Sequence, residues 1–129
     1  MALALTREIT DIDEVAEACF AAYRSAGEVA DQITWNRLFL GESVDQAPPT
    51  PAVVARATRV IECVLPHHVD PANYLPGFRR MASEDWTIRL LVHSSEMGRA
   101  HARLRGSDVT IQPWWHEGGS VQFGRPEIP

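Results

Sequence analysis

Residues 86–106, WTIRLLVHSSEMGRAHARLRG, decide how the second half of this chain is read. Trp86, Ile88, Leu90 and Val92 alternate with Thr87, Arg89, Leu91 and His93, the period-two pattern of a half-buried strand. The stretch that follows supports two readings. Arg99, His101, Arg103 and Arg105 alternate with Ala100, Ala102 and Leu104, which suits a second strand with a basic face over an apolar underside. The same residues fit a helix with Ser94 or Ser95 as cap, Glu96 in the first turn, Met97, Ala100 and Leu104 facing inward, and Gly106 as the stop. The first reading predicts a hairpin, and the second a strand–helix–strand unit over residues 86–112.

On the hairpin reading the pattern continues toward the C-terminus. Gly106-Ser107-Asp108 is turn chemistry, Val109 and Ile111 alternate up to Pro113, and Gly118-Gly119 precedes Val121-Gln122-Phe123. This predicts four antiparallel strands in a meander over residues 84–124, with a loose tail after Gly124.

Toward the N-terminus the period is helical. Thr10 reads as an N-cap before acids in the first turn, and Ile12, Val15, Cys19, Ala22 and Tyr23 form one apolar stripe. Val29, Ile33, Trp35, Leu38 and Phe39 predict a second helix over 29–40. After the loop 45–51, Thr50 as N-cap and Pro51 at the first helical position open a third. Its stripe would be Val53, Ala57, Val60, Ile61 and Val64, ended by Pro66. Residues 67–77 form a connection punctuated by prolines and a glycine. The fold class expected is α+β: one domain, residues 1–129, with a helical part over about 8–82. Its three N-terminal helices would pack on a C-terminal antiparallel sheet of about four strands.

A chain of 129 residues with 45% hydrophobic and 22% charged residues can bury a core without staples. Cys19 and Cys63 each sit among apolar neighbours, which predicts buried free thiols and no disulfide framework. No secretory leader or membrane span is legible, so the expected compartment is the cytoplasm. The net charge of −5 argues against a dedicated duplex-DNA binder. Acids dominate residues 1–45, and all twelve basic side chains are arginine, a residue suited to planar bidentate contacts.

Candidate functional residues follow from the strand reading. Arg99, His101, Arg103 and Arg105 would share one sheet face with Arg89, close to Trp114 and Trp115. Clustered guanidinium groups suit carboxylate or phosphate ligands, and an exposed Trp suits a binding hot spot. The first expectation is a binding or regulatory domain engaging an acidic protein partner or another subunit, with an anionic ligand as a further option. The alternative is a small enzyme using His93, His101 or His116 with arginines in a pocket on the sheet; the same three histidines, with Glu96 or Glu117 as a fourth ligand, are the set a metal would need. A third reading, a nucleotide or single-stranded nucleic-acid binder, uses the same arginines with a stacking tryptophan. No HExxH or paired CxxC spacing occurs, so no metal and no cofactor is expected. Ser94-Ser95 beside His93 reads as a cap or loop, because triads are assembled in space and not by adjacency.

Overall fold

The computed structural model describes residues 2–34 and 50–129, apart from the side chains of residues 2–10. Helix α1 (Ala2–Ser25) is followed by β1 (Asp31–Thr34), β2 (Pro51–Ala55) and β3 (Val60–Val64). Then come α2 (Leu75–Ser83), β4 (Thr87–His93), α3 (Met97–Arg103), β5 (Thr110–Glu117) and β6 (Ser120–Phe123). The six strands form one curled mixed sheet in the order β1-β2-β3-β4-β5-β6. Both β3–β4 and β4–β5 pair in parallel, whereas the outer pairings are antiparallel.

Parallel neighbours cannot be joined by a tight turn, so each parallel step needs a crossover. Here α2 and α3 fill the two crossovers, and the fixed hand of such units sends both to the same side of the sheet. On that side Ile61, Cys63, Ile88, Leu90, Val92 and Ile111 pack with Tyr74, Phe78, Met81, Ala100 and Leu104. On the other side Ile12, Val15, Ala16 and Cys19 of α1 pack on Val53, Val64, Leu91 and Trp114. The central strands are therefore covered on both faces. Consecutive residues such as Leu90, Leu91 and Val92 are all buried, as expected for strands inside layered sheets.

This architecture overturns the expected three helices on a four-strand antiparallel sheet. The predicted third helix is the β2–β3 hairpin. Its Val53, Val54, Val60, Ile61 and Val64 are β-branched, which stiffens χ1 and favours a pleated surface. Their helical spacing is a coincidence of a strand pair buried on both faces, and Ala57 of the supposed stripe is exposed in the turn. Of the predicted second helix, residues 31–34 are strand β1 and residues 35–40 lie outside the described residues, as do residues 45–49 of the predicted loop. Thr10 lies inside α1 and does not cap it.

Residues 97–103 are helix, as in the strand–helix–strand reading, so the basic strand face does not form. Ala100 and Leu104 are buried while Ala102 is exposed. A strand would have put all three on one side. The glycine turn does close an antiparallel β5–β6 pair, with Gly118 and Gly119 both at positive φ, the conformation a type I′ hairpin turn requires. The tail is not loose: Glu127 exchanges both backbone hydrogen bonds with Ile111, at 2.6 and 2.9 Å. Cys19 and Cys63 are free and buried, and burial pushes both thiols well above the ordinary range.

Among the described residues no helix is long and apolar enough to cross a membrane. Leu104→Ala is expected to remove about 2–5 kcal/mol of unfolding free energy in a urea titration, by opening a cavity under α3. Ala102→Leu, on the solvent side, should change it by less than about 0.5 kcal/mol. Comparable losses at the two positions would return the segment to a strand.

Candidate functional site

Because β3, β4 and β5 run parallel, their carboxyl ends open on one edge of the sheet, where ligand sites of layered α/β sheets tend to form. His93 is the last residue of β4 and is paired in register with Trp114 of β5. Leu65 continues β3 by donating its N–H to the Leu91 carbonyl at 2.9 Å. His67 and His68 therefore emerge beside His93. His68 adopts a positive φ of 65°, a conformation costly for a side chain with a Cβ and often found at functional sites.

Three histidine rings pack against the buried Trp114, which is 1% exposed. Their centroids lie 4.7 Å (His93), 5.5 Å (His116) and 5.9 Å (His67) from it, all in edge-to-face arrangement. The His67 and His93 rings are themselves 5.2 Å apart. The Trp114 indole N–H is buried and has no hydrogen-bond partner among the described residues. Such a group costs free energy and calls for an acceptor.

The hydrogen bonds assign work to individual ring nitrogens. Nδ1 of His93 accepts the Ser95 N–H at 3.1 Å and lies 2.7 Å from the Ser95 hydroxyl. This caps the turn at Ser94–Glu96 and leaves Nε2 as the nitrogen that carries a proton in the neutral ring. Burial holds the His93 pKa below its ordinary value, helped by the nearby positive charges of His67 and His116 when they are protonated; Glu96 and Asp11 oppose the shift. A proton on Nδ1 would also break the bond from Ser95 N–H. Geometry and electrostatics thus both favour neutral His93.

Glu96 accepts the His68 N–H at 3.2 Å and stands 3.7 Å from His67 Nδ1. That last distance is an electrostatic contact, too long for a hydrogen bond. His116 Nε2 meets Glu14 Oε2 at 2.5 Å, tying β5 to α1. Asp11, Glu14 and His116 offer ligand atoms within 4.8 Å of one another. The acids share a helix face at i and i+3, and the hydrogen bond draws the imidazole in, so pairing accounts for their closeness.

The other sequence candidates are dispersed. His101 lies on α3, across the sheet, and its Nε2 is 2.7 Å from Glu127 Oε1, so His93 and His116 meet Trp114 without it. Arg103 is bidentate to Asp70 at 3.0 and 2.8 Å, and Arg99 bonds the Val69 carbonyl at 2.5 Å. Arg105 is exposed. Arg89 faces α1 and reaches Glu62 at 3.4 Å. Trp115 is half-buried, with Glu117 as its distant indole partner, so the two tryptophans do not form one exposed patch. Sequence reasoning missed His67, whose signal was its place just beyond the end of a parallel strand. It also missed Glu62, a lone acid within the apolar run 60–64. No protein-family model, curated protein or solved structure matches this chain.

Two titrations check this site. The imidazole resonances of His93 should titrate below the ordinary value of 6.5, and His67→Gln should move the midpoint upward by removing a repelling charge. A midpoint at or above 6.5 contradicts the assignment. The unfolded chain takes up this proton more readily, so His93 makes stability fall as pH drops below about 6.5. Separately, the Arg103 guanidinium holds the Asp70 carboxyl below its usual range. The stabilisation is present above the unfolded carboxyl value and is lost as pH falls through the lower folded one. Arg103→Ala should therefore lower Tm modestly at neutral pH, with the gap closing in acid. A gap that persists at pH 2 would rule out this pair as its source.

Proposed function

We propose that the protein is a small enzyme that carries out proton transfer on a small polar substrate at the carboxyl edge of β3, β4 and β5. The observation that supports it is the pairing of roles around Trp114. His93 is biased to its neutral form with Nε2–H to donate, while His67 has a carboxylate beside Nδ1 and Nε2 available to accept. In this reading His67 takes the substrate proton as general base. Glu96 orients the ring and stabilises the imidazolium that forms, the part a third group plays in base–orienter pairs. The 3.7 Å separation would close to a hydrogen bond with substrate bound, as catalytic contacts commonly tighten in the complex. His93 donates from Nε2 to the negative charge that develops, a task a neutral imidazole performs where an imidazolium would surrender its proton. His116, held by Glu14, closes the third side.

A second reading, engagement of an acidic protein partner or a second subunit, retains one favourable observation. Arg79 and Arg105 are exposed and flank a groove of about 150 Å3 floored by Leu75, Phe78, Ile88 and Val109. Neither arginine has an acidic partner among the described residues. The reading no longer draws on Arg89, Arg99, Arg103 or Trp114, which are engaged within the protein or buried.

The enzyme reading is tested by incubating the protein with the small-molecule fraction of a cell extract and following metabolites by NMR. Conversion by the wild type should fall about 10²–10⁴-fold in His67→Gln, the usual worth of a general base, and strongly in His93→Gln. Both rings lie at the surface edge, so both variants should keep their amide spectra. No conversion by the wild type, or equal conversion by His67→Gln, rejects the reading.

A further inference from the structure

We infer that the cleft between the C-terminal half of α1 and the sheet, away from the histidines, is a second site that binds a small, neutral, carbonyl-bearing ring. The cleft measures about 290 Å3, the lower end of the range for small-molecule sites. It exists because Ala22 of α1 and Ala26, in the turn that follows the helix, stand where larger side chains would fill the space above Arg89 and Gln112. Tyr23 and Phe123 supply half-buried aromatic surface at its sides.

Its polar groups are unusual for such a small cavity. Glu62 is 4% exposed. Its carboxylate accepts from the Tyr23 hydroxyl and the Cys19 thiol and is paired with Arg89. The acid is therefore well supplied with donors. Arg89 is not matched in the same way. Its bond to Glu62 is long, at 3.4 Å, and its Nε–H is buried without a partner among the described residues. The guanidinium is half-buried, its side chain 29% exposed at the lining of the cleft, and the edge left open there has donors for an acceptor.

Charge narrows the ligand class. Arg89 and Glu62 cancel each other, and Glu28 stands at the lining of the same cleft, so an anion would meet net negative charge. A cation without an acceptor atom would leave the open edge of Arg89 unpaired and would be repelled by it. A neutral carbonyl satisfies the donor without adding charge. Its N–H, if it carries one, faces Glu28 and the Gln112 side-chain oxygen, because the Gln112 amide nitrogen already donates to the Gly124 carbonyl at 2.7 Å. An amide on a single ring, of the nucleobase or carboxamide kind, has this combination of shape and polarity. The site is independent of the histidine cluster, so the two readings stand or fall separately.

A series of equal shape and different charge tests it: benzamide, benzoate and benzamidine, titrated against labelled protein and followed by amide NMR. Benzamide should give saturable shifts at residues 22–26, 62, 89, 112 and 123. Benzoate and benzamidine should bind at least about tenfold more weakly, a difference of about 1.4 kcal/mol. Ala22→Leu, at an exposed helical position, should abolish benzamide binding while leaving the rest of the spectrum intact. Ala26→Leu provides the same block should the first variant fold poorly. Arg89→Lys, which keeps the charge and loses the planar edge, should weaken binding about tenfold or more. The inference is overturned by absent or non-saturable benzamide shifts. It is equally overturned by tighter binding of either charged analogue, or by benzamide binding that survives a folded blocking variant.

Discussion

The structure depends on how two unequal sets of helices cover one sheet. Two parallel crossovers commit α2 and α3 to the same face and give it a continuous apolar core. The opposite face has α1 as its one helix among the described residues. A helix with its side chains is about 10 Å across, whereas strands repeat every ~4.8 Å, so a single helix spans only two or three strands. Apolar contact is complete where Val15 and Cys19 meet Val53, Val64 and Leu91. Beyond that line the sheet carries polar groups on the same face: Glu62 and Arg89 beneath Tyr23, and His93 and His116 around Trp114. Both candidate sites are consequences of the partial cover.

That constraint also explains what could and could not be read from residues alone. The α1 stripe was legible because one helix on one face keeps a clean 3.6-residue period. Ile12, Val15 and Cys19 are buried as that period requires. Strand β4 was legible because Thr87, Arg89 and His93 keep the alternation although Leu91 breaks it. The β2–β3 hairpin was not, because burial on both faces erases alternation and leaves a run that a helix template also accepts. The choice at residues 95–105 turned on the direction of pairing. An antiparallel neighbour would have made them a strand, and a parallel one demanded a crossover helix. Nothing local to the sequence states that direction.

The site was half legible for a related reason. His93 was named because alternation put it on a strand, and His116 because the expected strand pairing brought it near. Adjacent histidines on a regular strand or helix point apart, so the sequence alone gives no reason to join His67 to this set. The positive φ at His68 removes that premise, since the chain at this point is neither. His101 was included only because it alternated with alanines on a strand that is really a helix. The residues whose roles changed most are those whose element type was misread, while their chemistry was read correctly.

The arginines show the same distinction between residue chemistry and placement. Several act as internal ties between a loop and the element beside it. Arg59 is in the left-handed region, with φ 56°. It reaches the carbonyls of Glu84 and Asp85 and lays its guanidinium 4.6 Å from the Trp86 ring centre. Arg99 and Arg103 hold Val69 and Asp70 against α3. A planar group with five donors can bond a carbonyl or carboxylate and stack at once, which a point-charge ammonium cannot. Arg99 and Arg103 grip the loop that leads out of His67 and His68, and their anchor, α3, begins one residue after Glu96. The ties therefore fix the spacing between His67 and Glu96 from outside the cluster. A site with few direct contacts of its own can in this way be held in place by cations that never enter it.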